Sequence, residues 1–295
     1  MLKILCAALA AFAGPALGEA IQIDTYRGPV SVTAMPETIA VLDMAALDSL
    51  QALNVEVAAT TANVYLDYLR EGHADAAHVG TLFEPDFEAL NALQPDLIIA
   101  GGRSQEAVSD LERLAPTIDM TIWDDVIGEG LDRLAAYGAL FGKVAKAKSL
   151  ASEFEAKLEA ARTAGAEQGR TLVLMTNGPK VSAYGPSGRF GWLYTAFGLD
   201  PVIADVEATT HGEAISFEFV RDADPDFLIV IDRAAAIGEA TSARATLDNA
   251  LVRETTAWRE GKVAFLDSGP IYIAAGGIQS MNRTVDQLMA AFQGN

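Results

Sequence analysis

The chain has one cysteine and three histidines in 295 residues, and its Lys and Arg (21) are outnumbered by Asp and Glu (40). Cys6 lies in the apolar start of the chain, so the rest has no thiol for a disulfide, a thiolate metal site or a cysteine nucleophile. The formal charge of −19 excludes a nucleic-acid partner and an anionic membrane surface. Beyond the first residues no apolar run is long enough to cross a bilayer, so no direct membrane insertion is expected. Nor is there a G-x-G-x-x-G, a Walker A loop, an H-E-x-x-H or a G-x-S-x-G elbow. Gly185-Pro186-Ser187-Gly188 has its second glycine one residue too early for such an elbow and reads as a tight loop. His73 and His78 stand in a polar stretch at a spacing that suits no metal-ligand geometry.

What the chain does have begins with Lys3, an apolar stretch over residues 4–13, and a small-residue site at Ala16-Leu17-Gly18. That is the pattern of a secretory signal peptide over 1–18, with Cys6 too early for lipid attachment. Its removal takes Lys3 away and brings the charge from −19 to −20. The expected product is soluble, periplasmic and not a lipoprotein.

Apolar, β-rich runs at 38–42, Leu97–Ala100 and 118–123 alternate with helix-like stretches at 45–53, 88–93 and 105–114. This alternation marks βα units around a parallel sheet. Residues 144–168, rich in Ala, Lys, Glu and Leu without proline, predict one helix of roughly 36 Å, long enough to bridge two lobes. Strand signals resume at 171–175, 227–231 and 263–266, with helical patterns at Trp192–Phe197, 217–221 and 279–292.

The second half repeats the first. At an offset of 130 residues, Phe87-Glu88-x6-Pro95-Asp96-x6-Arg103 aligns with Phe217-Glu218-x6-Pro225-Asp226-x6-Arg233. The spacing predicts, in each lobe, a short helix, a buried parallel strand, and an arginine just past the strand's C-terminal end, where open α/β sheets bind ligands. Facing lobes would then bring Arg103 and Arg233 together across a cleft. Three further residues sit in suggestive contexts. Arg189 stands in Gly188-Arg189-Phe190-Gly191-Trp192 at a helix start, a setting that favours anions. His211 lies in a loop ahead of the second Phe-Glu helix, and Tyr272 precedes the small residues Ala274-Ala275-Gly276-Gly277.

At these residues the chain resembles the siderophore-binding proteins of ABC importers, the helix-linked, two-lobe (class III) periplasmic binding proteins. Residues 79–88 and 93–99 look like that family's first-lobe signature. Ser187-Gly188-Arg189-Phe190-Gly191 and Tyr272-Ile273-Ala274-Ala275-Gly276-Gly277 look like the branch that takes catecholate siderophores of the petrobactin type. The resemblance implies an α/β fold of two Rossmann-like lobes: an N-terminal lobe over 19–143, a connecting helix over 144–168 and a C-terminal lobe over 169–295. It implies that Arg103, Arg189 and Arg233, with Trp192, surround an anionic ferric complex, and that His211 and Tyr272 complete the iron coordination. Glu88 and Glu218 would dock on an ABC permease dimer. No intrinsic cofactor and no catalysis are implied, the ferric siderophore being cargo, and a monomer is expected. Two alternatives stay open: another chelate (haem, cobalamin or a hydroxamate siderophore), or a two-lobed α/β enzyme clamping a polyanionic substrate.

Overall fold

The computed structural model describes residues 20–203, 212–238 and 242–294, so the expected signal peptide lies outside the described residues. An antiparallel hairpin, Ala20–Thr25 with Gly28–Thr33, opens the fold. The first sheet runs Ala77–His78, Ala59–Thr60, Ile39–Val41, Leu97–Ala100, Thr117–Asp119, parallel throughout. The second runs Glu213–Ala214, Lys180–Tyr184, Arg170–Asn177, Phe227–Asp232, Val263–Phe265. There the last three strands are parallel, Lys180–Tyr184 is antiparallel to both of its neighbours, and Asp200–Pro201 pairs with the start of Arg170–Asn177. The central strands Leu97–Ala100 and Phe227–Asp232 are buried along their whole length, which suits their continuous apolar sequence.

The repeated segment is repeated in three dimensions. Phe87–Leu93 and Phe217–Ala223 are both seven-residue helices, closed by left-handed residues, Gln94 and Asp224. Each Pro-Asp then performs the same task. Asp96 accepts from the amides of Glu37 and Thr38, and Asp226 from the amide of Arg170. A carboxylate thus ties the entry of each central strand to the entry of its neighbour.

The connecting helix is Val144–Gly165, 22 residues and about 33 Å. It ends three residues before the expected boundary, where Gly165 meets the Phe197 carbonyl so closely that a Cβ there would lie 2.1 Å from the oxygen. The final helix, Ile278–Phe292, departs further from expectation. Instead of belonging to the C-terminal lobe alone, it starts on the N-terminal lobe, where buried Asp48 accepts from the amides of Gln279 and Ser280 and Ser49 accepts from that of Ile278. The loop before it fits because it has no side chains: a Cβ on Gly277 would lie 2.6 Å from Asp48 Cγ, and one on Gly276 2.5 Å from Ile122 Cδ1. One hydrophobic core consequently runs from Ile23 and Leu47 of the first lobe, through Phe154 and Leu288, to Ile229 of the second.

Candidate functional site

In each lobe the chain leaves its first strand in one direction across the sheet and later returns to the other side, creating a switch point where strand ends diverge. In the N-terminal lobe this point lies between Ile39–Val41 and Leu97–Ala100. The residues emerging there are Asp43 and, in the short helix Gly102–Ala107, Arg103. In the C-terminal lobe it lies between Arg170–Asn177 and Phe227–Asp232, and there Arg233 Nη1 donates to Asn177 Oδ1 at 3.3 Å. Both repeat arginines therefore occupy ligand positions of their sheets.

They meet at Tyr272, on a π-helical turn, Gly269–Ile273. Such turns are rare and are frequently found at functional sites. The Tyr272 carbonyl accepts from Arg103 Nη2 at 2.9 Å and from Arg189 Nη2 at 3.0 Å, while its hydroxyl accepts from Arg233 Nε at 3.1 Å. Arg103 also donates to the Ile273 carbonyl. The Arg189 guanidinium lies 4.2 Å from the Tyr272 ring centre and that of Arg103 5.4 Å away. Three cations from two lobes thus converge on one residue, two on its carbonyl and one on its hydroxyl.

Electrostatics follow from this packing. Burial works to raise the Tyr272 pKa, but Arg189, the Arg233 hydrogen bond and charge, and Arg103 outweigh it, leaving the phenol below its ordinary value. Arg103 is itself lowered, first by burial and then by Arg189. Asp43 is raised, chiefly by burial, against its amide hydrogen bonds and the Arg103 charge.

Around this centre is a cleft of about 1230 Å³. Arg103, Arg189, Trp192 and Tyr272 line it; Arg233 does not, and reaches it through the Tyr272 hydroxyl. Arg189 is held by a loop in which Gly188 and Gly191 donate to the carbonyls of Gly185 and Gly188. A Cβ on Gly191 would lie 1.9 Å from the Pro186 oxygen, so only glycine fits. That is the tight loop expected of residues 185–188. The helix it opens, Trp192–Phe197, has six residues and no side-chain cap, so its dipole adds little to Arg189. His211 lies outside the described residues. Glu88 and Glu218 are exposed in the first turns of the two repeat helices, outside the cleft. His73 bonds the Leu69 carbonyl and His78 lies exposed on an edge strand.

Sequence reasoning missed the rest of the first lobe's wall: Phe83, Glu84, Glu106, Trp123, Asp124 and Asp125. The expected strand run over 118–123 includes Trp123, but the strand ends at Asp119 and the last residues of that run leave the sheet to face the cleft.

The model of the family described as "Periplasmic binding protein" matches residues 39–270. The petrobactin-binding protein YclQ of Bacillus subtilis is 34% identical over 272 residues, 90% of this chain and 85% of its own. Its crystal structure superposes with a TM-score of 0.88, covering 93% of this chain and 99% of that one. The ferric-anguibactin-binding protein FatB of Vibrio anguillarum is 30% identical, covering 92% and 88%. The catecholate-siderophore binding protein VctP of Vibrio cholerae has a TM-score of 0.86 at 27% identity, covering 92% and 100%.

Proposed function

Because the chain belongs to the periplasmic binding protein family, we propose that it captures a ferric siderophore of catecholate type in the interlobe cleft and delivers it to an ABC permease. The observation that carries this reading is the convergence of Arg103, Arg189 and Arg233 on Tyr272, which with Arg103 and Arg189 lines a cleft of about 1230 Å³. Guanidinium groups give directed, charge-assisted hydrogen bonds to the oxygens of an anionic complex, and their planar forks suit paired catecholate oxygens.

Iron(III) is a hard ion that suits phenolate oxygen. Tyr272, whose proton the arginines already loosen, is the donor we assign to complete a tetradentate complex, with His211 as its companion on sequence grounds. Trp192 forms an apolar wall. The relatives bind ferric-siderophore cargo by their names, YclQ petrobactin and FatB ferric-anguibactin. We read residues 1–18 as a secretory signal, residues 19–143 and 169–295 as the lobes, and the product as a periplasmic monomer.

Tryptophan fluorescence tests the cargo. Titration of the mature protein with ferric bis-catecholate, ferric hydroxamate, haem and cobalamin should give saturable quenching at micromolar or lower concentration with the catecholate. No quenching by it, or tighter binding of haem or cobalamin, contradicts the reading. Docking is tested separately: Glu88→Ala with Glu218→Ala should leave cargo affinity unchanged and lower uptake of iron by cells at least several-fold. Unaltered uptake removes the docking role.

A further inference from the structure

The two repeat arginines stand on short helices that are held in different ways. Arg233 follows Asp232, whose carboxylate accepts from the amides of Ala235 and Ala243 and so fixes the turn that carries the arginine. At the equivalent place before Arg103, 130 residues earlier, the chain has Gly102, in the left-handed region at φ +51°. Glycine has no side chain to cap with and restrains its own backbone least. Ser104 closes the turn on Gly101 but leaves the Gly102 amide to another element. The first lobe therefore has to obtain from elsewhere what the second carries beside its arginine.

It comes from the N-terminal hairpin. The Gly102 amide donates to Thr121 Oγ1 at 2.9 Å, Thr121 Oγ1 donates to Asp119 Oδ1 at 2.6 Å, and Asp119 Oδ2 accepts from Arg27 Nε at 3.0 Å. Arg27 sits in the turn between Ala20–Thr25 and Gly28–Thr33, and the neighbouring Tyr26 amide donates to the Asp119 carbonyl at 2.8 Å. The rest of the guanidinium reaches the far side of the same element: Nη2 donates to the Gln105 carbonyl at 3.0 Å and Nη1 to Ser109 Oγ at 3.3 Å. One fork thus grips the helix Gly102–Ala107 on both sides of Arg103, through Asp119 and Thr121 before it and directly after it. The Asp119 side chain is 1% exposed and that of Arg27 40%. Out of water, the carboxylate holds its hydrogen bonds without competition. Arg133 joins the same two segments, donating to the Asp24 carbonyl of the hairpin and to the Thr121 carbonyl.

We infer that Arg27, through Asp119 and Thr121, is a positioning residue for cargo binding: it fixes the backbone of Gly102–Ala107 and so the angle at which Arg103 meets Tyr272 and the ferric complex. This rests on the ferric-siderophore reading and adds to it a residue of the hairpin that does not line the cleft. Arg103 reaches across to the other lobe, donating to the Tyr272 carbonyl at 2.9 Å and to the Ile273 carbonyl at 3.3 Å. Hydrogen bonds weaken steeply once misaligned, so a shift at the root of the side chain is felt at its tip. Among the described residues lining the cleft, Arg103 is the first lobe's cation. The hairpin therefore governs how well that lobe grips an anion.

A double-mutant cycle tests this, with the dissociation constant of a ferric bis-catecholate read by tryptophan quenching in the mature protein. Arg27→Gln should weaken binding about fivefold in the wild-type background and by less than about twofold where Arg103 is already replaced by Gln, because the hairpin acts on the cargo through that arginine. Arg27→Lys keeps a charge beside Asp119 but not the fork, and should recover part of the loss. A residue that merely supports the lobe would weaken both backgrounds by the same factor. Hydrogen exchange gives a readout without cargo: in Arg27→Gln the amides of Gly102 and the turn after it should exchange about tenfold faster or more, while those of Leu97–Ala100 keep the wild-type rate. Thr121→Val, which removes the acceptor of the Gly102 amide, should give the same cycle and takes its place if Arg27→Gln does not fold. Equal weakening in both backgrounds, no weakening in either, or unchanged exchange at Gly102 overturns the inference and leaves the siderophore reading intact. A wild type that does not bind the ferric complex sinks that reading and the cargo role of Arg27 with it.

Discussion

Tyr272 is shared by both lobes' arginines, and its phenol is set apart from the chain's other tyrosines by its surroundings. Burial pushes Tyr184 and Tyr194 up to about 12, and Tyr68 and Tyr137 upward as well, whereas three guanidinium groups pull Tyr272 down. A phenol lowered on folding adds stability only above its unfolded pKa, and this is lost as the pH falls through the lowered folded value. An alkaline titration followed by tyrosinate absorbance should show an early phase that Tyr272→Phe removes. An identical titration curve for the variant would show that the arginines do not act on this phenol. At this scale the sequence was informative but incomplete. Arg103 and Arg233 were visible as a repeat and Arg189 through its glycine-bounded loop. That they meet on the Tyr272 carbonyl and hydroxyl depends on a π-helical turn with no sequence period of its own.

Elements come next. The βα alternation, the long helix and the twin helix–strand units could all be read from periodicity and spacing, since each depends on neighbours within a few residues. The docking of Ile278–Phe292 could not, because its first turn is satisfied by Asp48, about 230 positions earlier. Tyr68 donates to Asp48 at 2.5 Å and Ser280 at 3.0 Å, completing a buried cluster that joins the lobes. Burial raises the Asp48 pKa from 3.8 to about 6, against these hydrogen bonds. Its contribution to stability is fully present below pH 3.8 and is lost as the pH rises through about 6. The stability of wild type relative to Asp48→Asn should accordingly decline across that window, as measured by denaturant unfolding; a difference independent of pH would contradict the assignment. Gly277→Ala would force a Cβ against Asp48 and should destabilise the protein by about 1–3 kcal/mol. A thermal midpoint equal to wild type would mean that the loop has room the packing denies.

In the whole molecule, the largest of three hydrophobic clusters among the described residues passes from one lobe to the other along Val144–Gly165 and Ile278–Phe292. Two helices and the Asp48 cluster join the lobes, where the sequence pointed to one connector. The acidic charge was plain in the sequence, but its concentration on one wall of the cleft was not, because the carboxylates come from separate loops at the ends of different strands. What the whole fold achieves is to bring Arg103 of one lobe to the same point as Arg189 and Arg233 of the other. Lost charge-assisted hydrogen bonds cost about 1.5–3 kcal/mol each. The dissociation constant of a ferric bis-catecholate for the variant Arg103→Gln/Arg189→Gln/Arg233→Gln, folded by thermal melt, therefore tests the account most directly. It should rise at least a hundredfold over wild type; a value within threefold of wild type would show that the three arginines do not hold the cargo.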